Sequence, residues 1–568
     1  MRALRRISWR RPDLDALSRT TYDVAIVGAG INGAAIARDA ARRGLSVVVV
    51  DKDDVCSGTS AWSSRLIHGG LRYLEHGELR LVHESLHDRE RLLHIAPHLV
   101  TPLPFVVPLY PHNHKPAWMF RAGMVVFDAL SMRKSVPRHR RLNRKAVAVE
   151  LPSLRREGFA GALRYYDGQV VFAERLVLET LLSAVDAGAL ALTYAEVTRV
   201  ETDSGRATGL AVRDRISGVE RTLRASIVVN AAGPWVDQVD AGLPLPRFIG
   251  GTKGTHLVVD PFPGAPDVTV YYEARSDNRP ILVIPWNGRY LIGTTDDRFD
   301  GDLDTTAGTE AEIDYLLEET NFLLPRARLT RASIRYTYAG VRPLPYRPGA
   351  KPGSIPRSHL ILTHDEVANL VTVVGGKLTP HLSLGREVVD KLGVLLGRAL
   401  PRSTTDREPL PGAPADGADW PTEAARLRDE LPWPDDVVDR LLAVYGTRCR
   451  ELLALARRDP ELGRVLGTGR GALVAAEVVV AVEQEGAAHL TDILHRRTMI
   501  GLEPGSGREI HREVAELAAL LLGWSADDVR REVADHDTYV AERLLGGVKE
   551  LVPGLSTGPG LSTGTVPA

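Results

Sequence analysis

Apolar residues recur along this chain in two periods. Unbroken runs at Val24-Ala-Ile-Val27 and Val47-Val-Val-Val50 read as strands buried on both faces, as in a parallel sheet. A helix of small residues lies between them. Helical spacing of Leu79, Val82, Leu86 and Leu93 predicts a helix over 78–96, and a second helix is expected at 173–187. Leu192–Glu201, Ala207–Asp214 and Thr222–Asn230 then read as a β-meander. Residues 257–299 are strand-rich, 309–323 is helical, and 369–374 is a buried strand. Past residue 421 only helical periodicity remains, at 435–457, 472–485, 489–498, 507–521 and 525–545. Proline, glycine and charge crowd the linker 401–421, and the repeating tail 549–568 is expected to be disordered.

The first strand–helix–strand unit carries the chemistry of a dinucleotide site. Gly28 permits a tight turn, Gly30 lets the backbone approach a pyrophosphate, and Gly33 lets the helix pack close to its strand. The helix N-terminus, with Ile31 and Asn32, offers free N–H groups to phosphate. Asp51, at the end of the second strand and followed by Lys52, can accept from both hydroxyls of an adenosine ribose and would repel a 2′-phosphate. The small-residue turn after Asn230, with Ala232 and Gly233, favours a flavin fold over a nicotinamide dehydrogenase.

With 568 residues the chain exceeds one core, so two or three domains are expected. A net charge of −1 gives no argument for nucleic-acid binding, and two cysteines make a disulfide framework or a structural zinc site unexpected. Neither a secretory signal nor a bilayer-spanning run is visible. A basic arm, 1–20, interleaves Leu4, Ile7 and Trp9 with arginines and reads either as a membrane-surface anchor or as a disordered arm. The proline-interrupted segment 99–127 is unusually apolar; it reads as buried core, with a membrane-resting surface as the alternative.

Charged groups beside glycine mark the candidate site. Ser60, Ser63 and Ser64 can bond phosphate or ribitol oxygens, and His68, Gly69, Gly70 and Arg72 follow them. Lys253 and His256 lie in Thr252–His256, Arg342 in Ala339–Pro343, and Lys377 in the second glycine turn, Gly375–Thr379. With Arg357 these cations imply an anionic ligand, phosphate or carboxylate. Gly376, Lys377, Leu378 and Thr379 open a helix whose N-terminus can face a flavin ring that gains charge on reduction.

The runs GAGINGAAIARDAARRGLSV, SSRLIHGGLRYLEHGELRLVHESLHDRE, NAAGPWV, KGTHLVV, VIPW, IGTTD, YAGVRPL and GGKLT occur in that order over about residues 21–385. Together they resemble the FAD-dependent, respiratory glycerol-3-phosphate dehydrogenases, and the similarity continues at Asp492-Ile-Leu-His-Arg-Arg-Thr498. The resemblance implies an α/β fold: a Rossmann-like FAD-binding domain over 21–400 of the glutathione-reductase or D-amino-acid-oxidase type. A β-sheet-rich substrate domain (about 78–165 and 250–340) is interleaved with it, and an all-α domain follows at 422–548. It implies FAD on Gly28, Gly30, Gly33 and Asp51, with Ser60, Ser63, Ser64 and His68–Gly70 along ribitol and flavin. Arg72, Tyr73, His256, Arg342, Arg357 and Lys377 would line a pocket for sn-glycerol 3-phosphate. His256 is the first choice of catalytic base and His68 the second. Electrons would pass to a membrane quinone, from a peripheral position on the inner face of the cytoplasmic membrane; dioxygen as acceptor, a noncatalytic FAD module and a homodimer stay open. Pro380-His381-Leu382 departs from the family's threonine, tyrosine and arginine, so those contacts are not carried over.

Overall fold

The computed structural model describes residues 8–70, 78–113, 116–131, 134–415 and 418–546. Thr21–Val27 pairs in parallel with Val47–Val50 on one side and Glu220–Asn230 on the other. Leu370–Val374 and Leu190–Leu192 extend the sheet in parallel, and Leu360–Thr363 closes one edge antiparallel. The meander forms as Ala195–Asp203, Arg206–Asp214 and Glu220–Asn230, its last strand entering the centre of the parallel sheet. Val27 stands opposite both Val50 and Asn230. Three strands therefore end level, and their loops open on one edge, where parallel sheets place ligands.

The helix Ile31–Arg42 is built of small residues because two helices crowd it, Ala173–Asp186 and His381–Leu395. A β-carbon on Gly385 would lie 2.9 Å from the Ala35 carbonyl oxygen. Buried Arg38 reaches out of the same helix, donating to the carbonyls of Thr405 (2.8 Å) and Glu408 (2.7 Å) and to the Ser183 hydroxyl (2.9 Å). Burial pulls its guanidinium down to about 10. That side chain pins the non-helical segment 401–410 against the nucleotide half.

The second sheet is the cap. Val100–Leu109 pairs antiparallel with Gly161–Val170 and parallel with Thr269–Glu273; Pro280–Trp286, Arg289–Gly293, Thr252–Val259 and Ile334–Arg342 follow in order. Its own apolar core packs Val106, Leu257, Val283 and Ile292 against Ile313 and Leu316 of helix Glu310–Leu323. A capping box of Thr309 and Glu312 starts that helix.

The segment 99–127 divides. The strand Val100–Leu109 is largely buried, but helix Ala117–Leu130 buries only Met124 and Phe127. Trp118 is 65% exposed and Val125 59%, with Met119 and Val126 exposed beside them. A helix apolar all round cannot hide both faces against one sheet. The N-terminal arm also differs from a free surface anchor. Trp9 is buried, its indole N–H donating to the Ala191 carbonyl at 3.0 Å, and Leu14 and Leu17 are buried beyond it. Leu4, Ile7 and the tail 549–568 lie outside the described residues.

The C-terminal part is helical, with Val465–Leu466 and Leu473–Val474 its only strands among the described residues. The run expected at 435–457 is two helices, Asp435–Tyr445 and Cys449–Arg458, broken at Gly446 with φ of +56°. The run at 489–498 has one turn, Leu490–Asp492, followed by a π-helical turn Ile493–Arg497. That π-helical turn locks the two halves together. Arg497 holds Asp54, three residues past the nucleotide acid, through two bonds of 2.6 and 2.8 Å, and Arg496 adds a third at 2.6 Å. Glu485 neutralises Arg175 (2.7 Å) and Arg448 (2.6 Å), all fully or nearly buried.

The two guanidiniums hold the Glu485 carboxyl down at about 2 against burial, below its ordinary 4.5. Its stabilisation is therefore present above pH 4.5 and is lost as pH falls from 4.5 towards 2. Glu485→Gln is expected to cost about 3–5 kcal/mol, because it strands buried cations. Chemical denaturation near neutral pH measures this, and an unchanged midpoint there would contradict the assignment.

Candidate active site

The level strand ends open on a cavity of about 750 Å³. Gly28, with φ of +103°, starts its first glycine turn, and a β-carbon there would lie 2.7 Å from the Ala231 carbonyl oxygen. The helix behind begins at Gly30 with no side-chain cap, and the Ile31 N–H donates to the Ser60 hydroxyl at 3.1 Å. Asp51 accepts from the N–H groups of Ala29 (2.6 Å) and Asp53 (3.0 Å). Burial, helped by the nearby charges of Asp53 and Asp54, pushes its carboxyl up to about 7.

The second glycine turn meets the first. Gly375 and Gly376 have φ of +80° and +89°, and a β-carbon on Gly376 would clash with the Asn32 amide at 2.2 Å. Asn32 donates to the Gly375 carbonyl at 3.3 Å, while its own Oδ1 is buried with no protein partner. Thr379 accepts from the His68 N–H at 3.0 Å. Gly70, Ser63, Ser64, Ala232, Gly233, Lys377 and Leu378 also line the cavity.

Its cationic wall is organised by an acid absent from the sequence reading. Asp296 accepts from Arg342 at 3.2 Å on one oxygen and from Arg357 at 2.8 Å on the other. Arg342 also donates to the Thr294 hydroxyl (3.0 Å) and the Thr295 carbonyl (3.1 Å). The signal was available: Asp296 is the acid closing Ile292-Gly-Thr-Thr-Asp296. Arg342, Arg357, Lys377, His68 and His256 line the same cavity.

His256 sits on the cap strand beside Tyr338, ring centroids 4.9 Å apart. Its Nε2 is 2.8 Å from the Ser64 hydroxyl, and its buried Nδ1 has no protein partner. Burial first, then the charges of Arg342 and Arg65, lower its imidazole to about 3. Burial and Lys377 lower His68 to about 4. Both rings are neutral at neutral pH.

Several expected site residues lie elsewhere. Gly33 does not line the cavity; it packs helix on turn, a β-carbon there lying 1.8 Å from the Gly28 carbonyl oxygen. Gly69 is also off the cavity, turned towards Leu86 and Phe127, with its N–H on Asp167. Lys52 lines the cavity but pairs with Asp304 at 2.5 Å and lies over the Trp235 ring. Ser63 accepts from the Arg65 N–H at 3.3 Å. Lys253 pairs with Glu312 at 2.8 Å, away from the cavity. Arg72 and Tyr73 lie outside the described residues. Pro380 is the N-cap of its helix, and the His381 ring folds back onto the Leu378 carbonyl at 2.7 Å.

The sequence model of the FAD dependent oxidoreductases matches residues 23–390, and that of the C-terminal domain of alpha-glycerophosphate oxidase matches 403–529. A glycerol-3-phosphate dehydrogenase of Synechocystis is 43% identical, over 93% of this chain and 98% of its own length. The chain belongs to the FAD-dependent glycerol-3-phosphate dehydrogenase family. A D-erythritol 1-phosphate dehydrogenase of Brucella abortus is 38% identical, over 84% of this chain and 94% of its own. The glycerol-3-phosphate dehydrogenase of Bacillus halodurans, solved with FAD, superposes with a TM-score of 0.77 at 29% identity, over 93% of this chain and 96% of that one. FAD is the cofactor of this oxidoreductase, and the donor set fits it: two glycine turns, a helix N-terminus without a side-chain cap, Asp51 and the unpartnered Asn32 oxygen.

Gly28→Ala must displace the Ala231 backbone and strain its own φ. Overpacking of about 1–3 kcal/mol would weaken FAD binding roughly 5- to 150-fold. Flavin content after desalting, with fluorescence titration of added FAD, measures it; full retention would contradict the close-approach role.

Proposed function

We propose that this enzyme oxidises sn-glycerol 3-phosphate to dihydroxyacetone phosphate. The observation that carries the reading is the Arg342–Asp296–Arg357 cluster, sharing one cavity with Lys377 and the His256 imidazole. Three cations against one carboxylate suit a phosphate dianion, and guanidinium forks suit its oxygens. Asp296 holds one edge of each fork at the cavity wall. Bound FAD supplies the two-electron acceptor for the hydride that leaves C2.

The chain's own residues do the rest. Arg342, Arg357 and Lys377 bind and orient the phosphate, joined by Arg72 and Tyr73 on the family resemblance. His256 takes the C2 hydroxyl proton on Nδ1, its Nε2 held by Ser64. Burial is the larger cause of this imidazole's depression; a phosphate on Arg342 offsets only the smaller contribution of that charge. His68 is the second candidate for that proton.

For the electron acceptor we propose a membrane quinone, reached from the cytoplasmic face by a peripherally bound enzyme. Among the described residues no helix is long and apolar enough to cross a membrane. Helix Ala117–Leu130, with Trp118, Met119, Val125 and Val126 exposed, fits shallow contact with a lipid surface, and exposed Arg138, Arg140, Arg144 and Lys145 follow it.

Anaerobic glycerol 3-phosphate is expected to bleach the yellow enzyme, and its failure to do so would overturn the reading. The four-carbon D-erythritol 1-phosphate belongs beside it as a competing substrate. His256→Ala should slow this reduction by roughly two to four decades. The wild-type rate should fall as pH drops, since protonation removes the acceptor lone pair, with a midpoint below the ordinary histidine value of about 6.5. Arg342→Ala should raise KM about 10- to 150-fold, the worth of a charged hydrogen bond, with FAD retained. Trp118→Ser with Val125→Ser should weaken flotation with liposomes; equal flotation would remove this helix as the contact.

A further inference from the structure

We propose that His511, His536 and Asp537 form a binding site for a divalent transition metal of the zinc class, clipping together helices His511–Leu522 and Ala526–Tyr539 of the C-terminal domain. His511 opens helix His511–Leu522, and His536 and Asp537 lie in the last turn of helix Ala526–Tyr539. The chain reverses between them at Gly523, with φ of +71°. The start of one helix therefore meets the end of the next, and side chains distant in sequence converge.

The spacing of the donor atoms is that of a metal site. His511 Nδ1 and His536 Nδ1 are 3.4 Å apart, and His511 Nδ1 is 3.8 Å from Asp537 Oδ1. All three ligand atoms lie within 4.8 Å of one another. Two nitrogens bound tetrahedrally at about 2.0–2.1 Å from zinc stand about 3.3–3.4 Å apart. The imidazole planes cross at 81° with these nitrogens towards each other, so one ion could take both lone pairs.

The surroundings supply an outer shell. His536 Nε2 lies 3.1 Å from Nε2 of buried His495, which can accept its N–H. The Ser506 carbonyl also faces the His536 ring. Two imidazoles and one carboxylate suit zinc and its neighbours rather than calcium or magnesium. Arg508 works against a cation by donating to Asp537 Oδ1 at 3.0 Å. Residue 495 lies in the π-helical turn that carries Arg496 and Arg497, so the clip would brace the turn that grips Asp54.

The test uses the full-length, FAD-loaded enzyme, dialysed against a chelator and titrated with Zn²⁺, with Co²⁺ as an optical probe. Expected are one tightly held equivalent, a visible tetrahedral cobalt band and a raised unfolding midpoint. Calcium and magnesium should give none of these. Asp537→Asn should weaken zinc roughly 10- to 100-fold, His511→Ala should abolish the cobalt band, and Arg508→Gln should tighten binding. Asp537→Asn is isosteric and Arg508→Gln shortens a partly exposed side chain, so they hold the test if the alanine variant unfolds. Uptake unaltered by Asp537→Asn and Arg508→Gln, or absence of a stoichiometric equivalent, would overturn the proposal.

Discussion

A β-carbon at residue 33 would lie 1.8 Å from the Gly28 carbonyl oxygen, so only a glycine lets helix Ile31–Arg42 sit against its own turn. The rest of the site depends on that closeness. It directs the helix N-terminus between the level strand ends, where backbone N–H groups can face phosphate. It also sets the height at which helix His381–Leu395 crosses, close enough for Gly385 to touch the Ala35 backbone. That second helix, capped at Pro380, follows a few residues after the Gly375–Gly376 turn, and this turn meets the first helix at Asn32. Two motifs hundreds of residues apart become one wall through the Asn32 side-chain amide set against glycine backbone.

Arginine serves two purposes here, and its partners tell them apart. Arg38, Arg65, Arg175 and Arg497 are fully or nearly fully buried, and each meets carboxylates or carbonyls that compensate its charge. Such pairs contribute little net stability against an apolar packing of the same volume, yet losing one partner is costly. Arg175, on Glu485, and Arg497, on Asp54, fix the relation of the helical domain to the first half of the chain. Arg342 and Arg357 differ because they share a single carboxylate at a cavity wall. That arrangement holds two forks in position at the cavity wall.

The cap shows how one apolar stretch takes two environments. Pro102, Pro104 and Pro108 lie in a strand that pairs along its whole length with Gly161–Val170, and that strand is largely buried. The next helix is equally apolar and finds only one surface to cover it. Composition could not separate the two, since hydrophobicity reports the wish for burial and not whether a neighbour exists to provide it.

The sequence by itself determined the strand–turn–helix unit, the meander and the helical domain. These rest on local rules: periodicity, positive-φ glycines and an acid at a strand end. Only the tertiary structure decided that Gly33 and Gly69 serve packing, that Lys253 pairs with Glu312, and that Trp9 is buried. It alone brought Asp296 between two arginines, and Asp54 under Arg496 and Arg497. A side chain's partner depends on which distant segment the fold sets beside it, and that is fixed by the packing of whole elements, which no local pattern encodes.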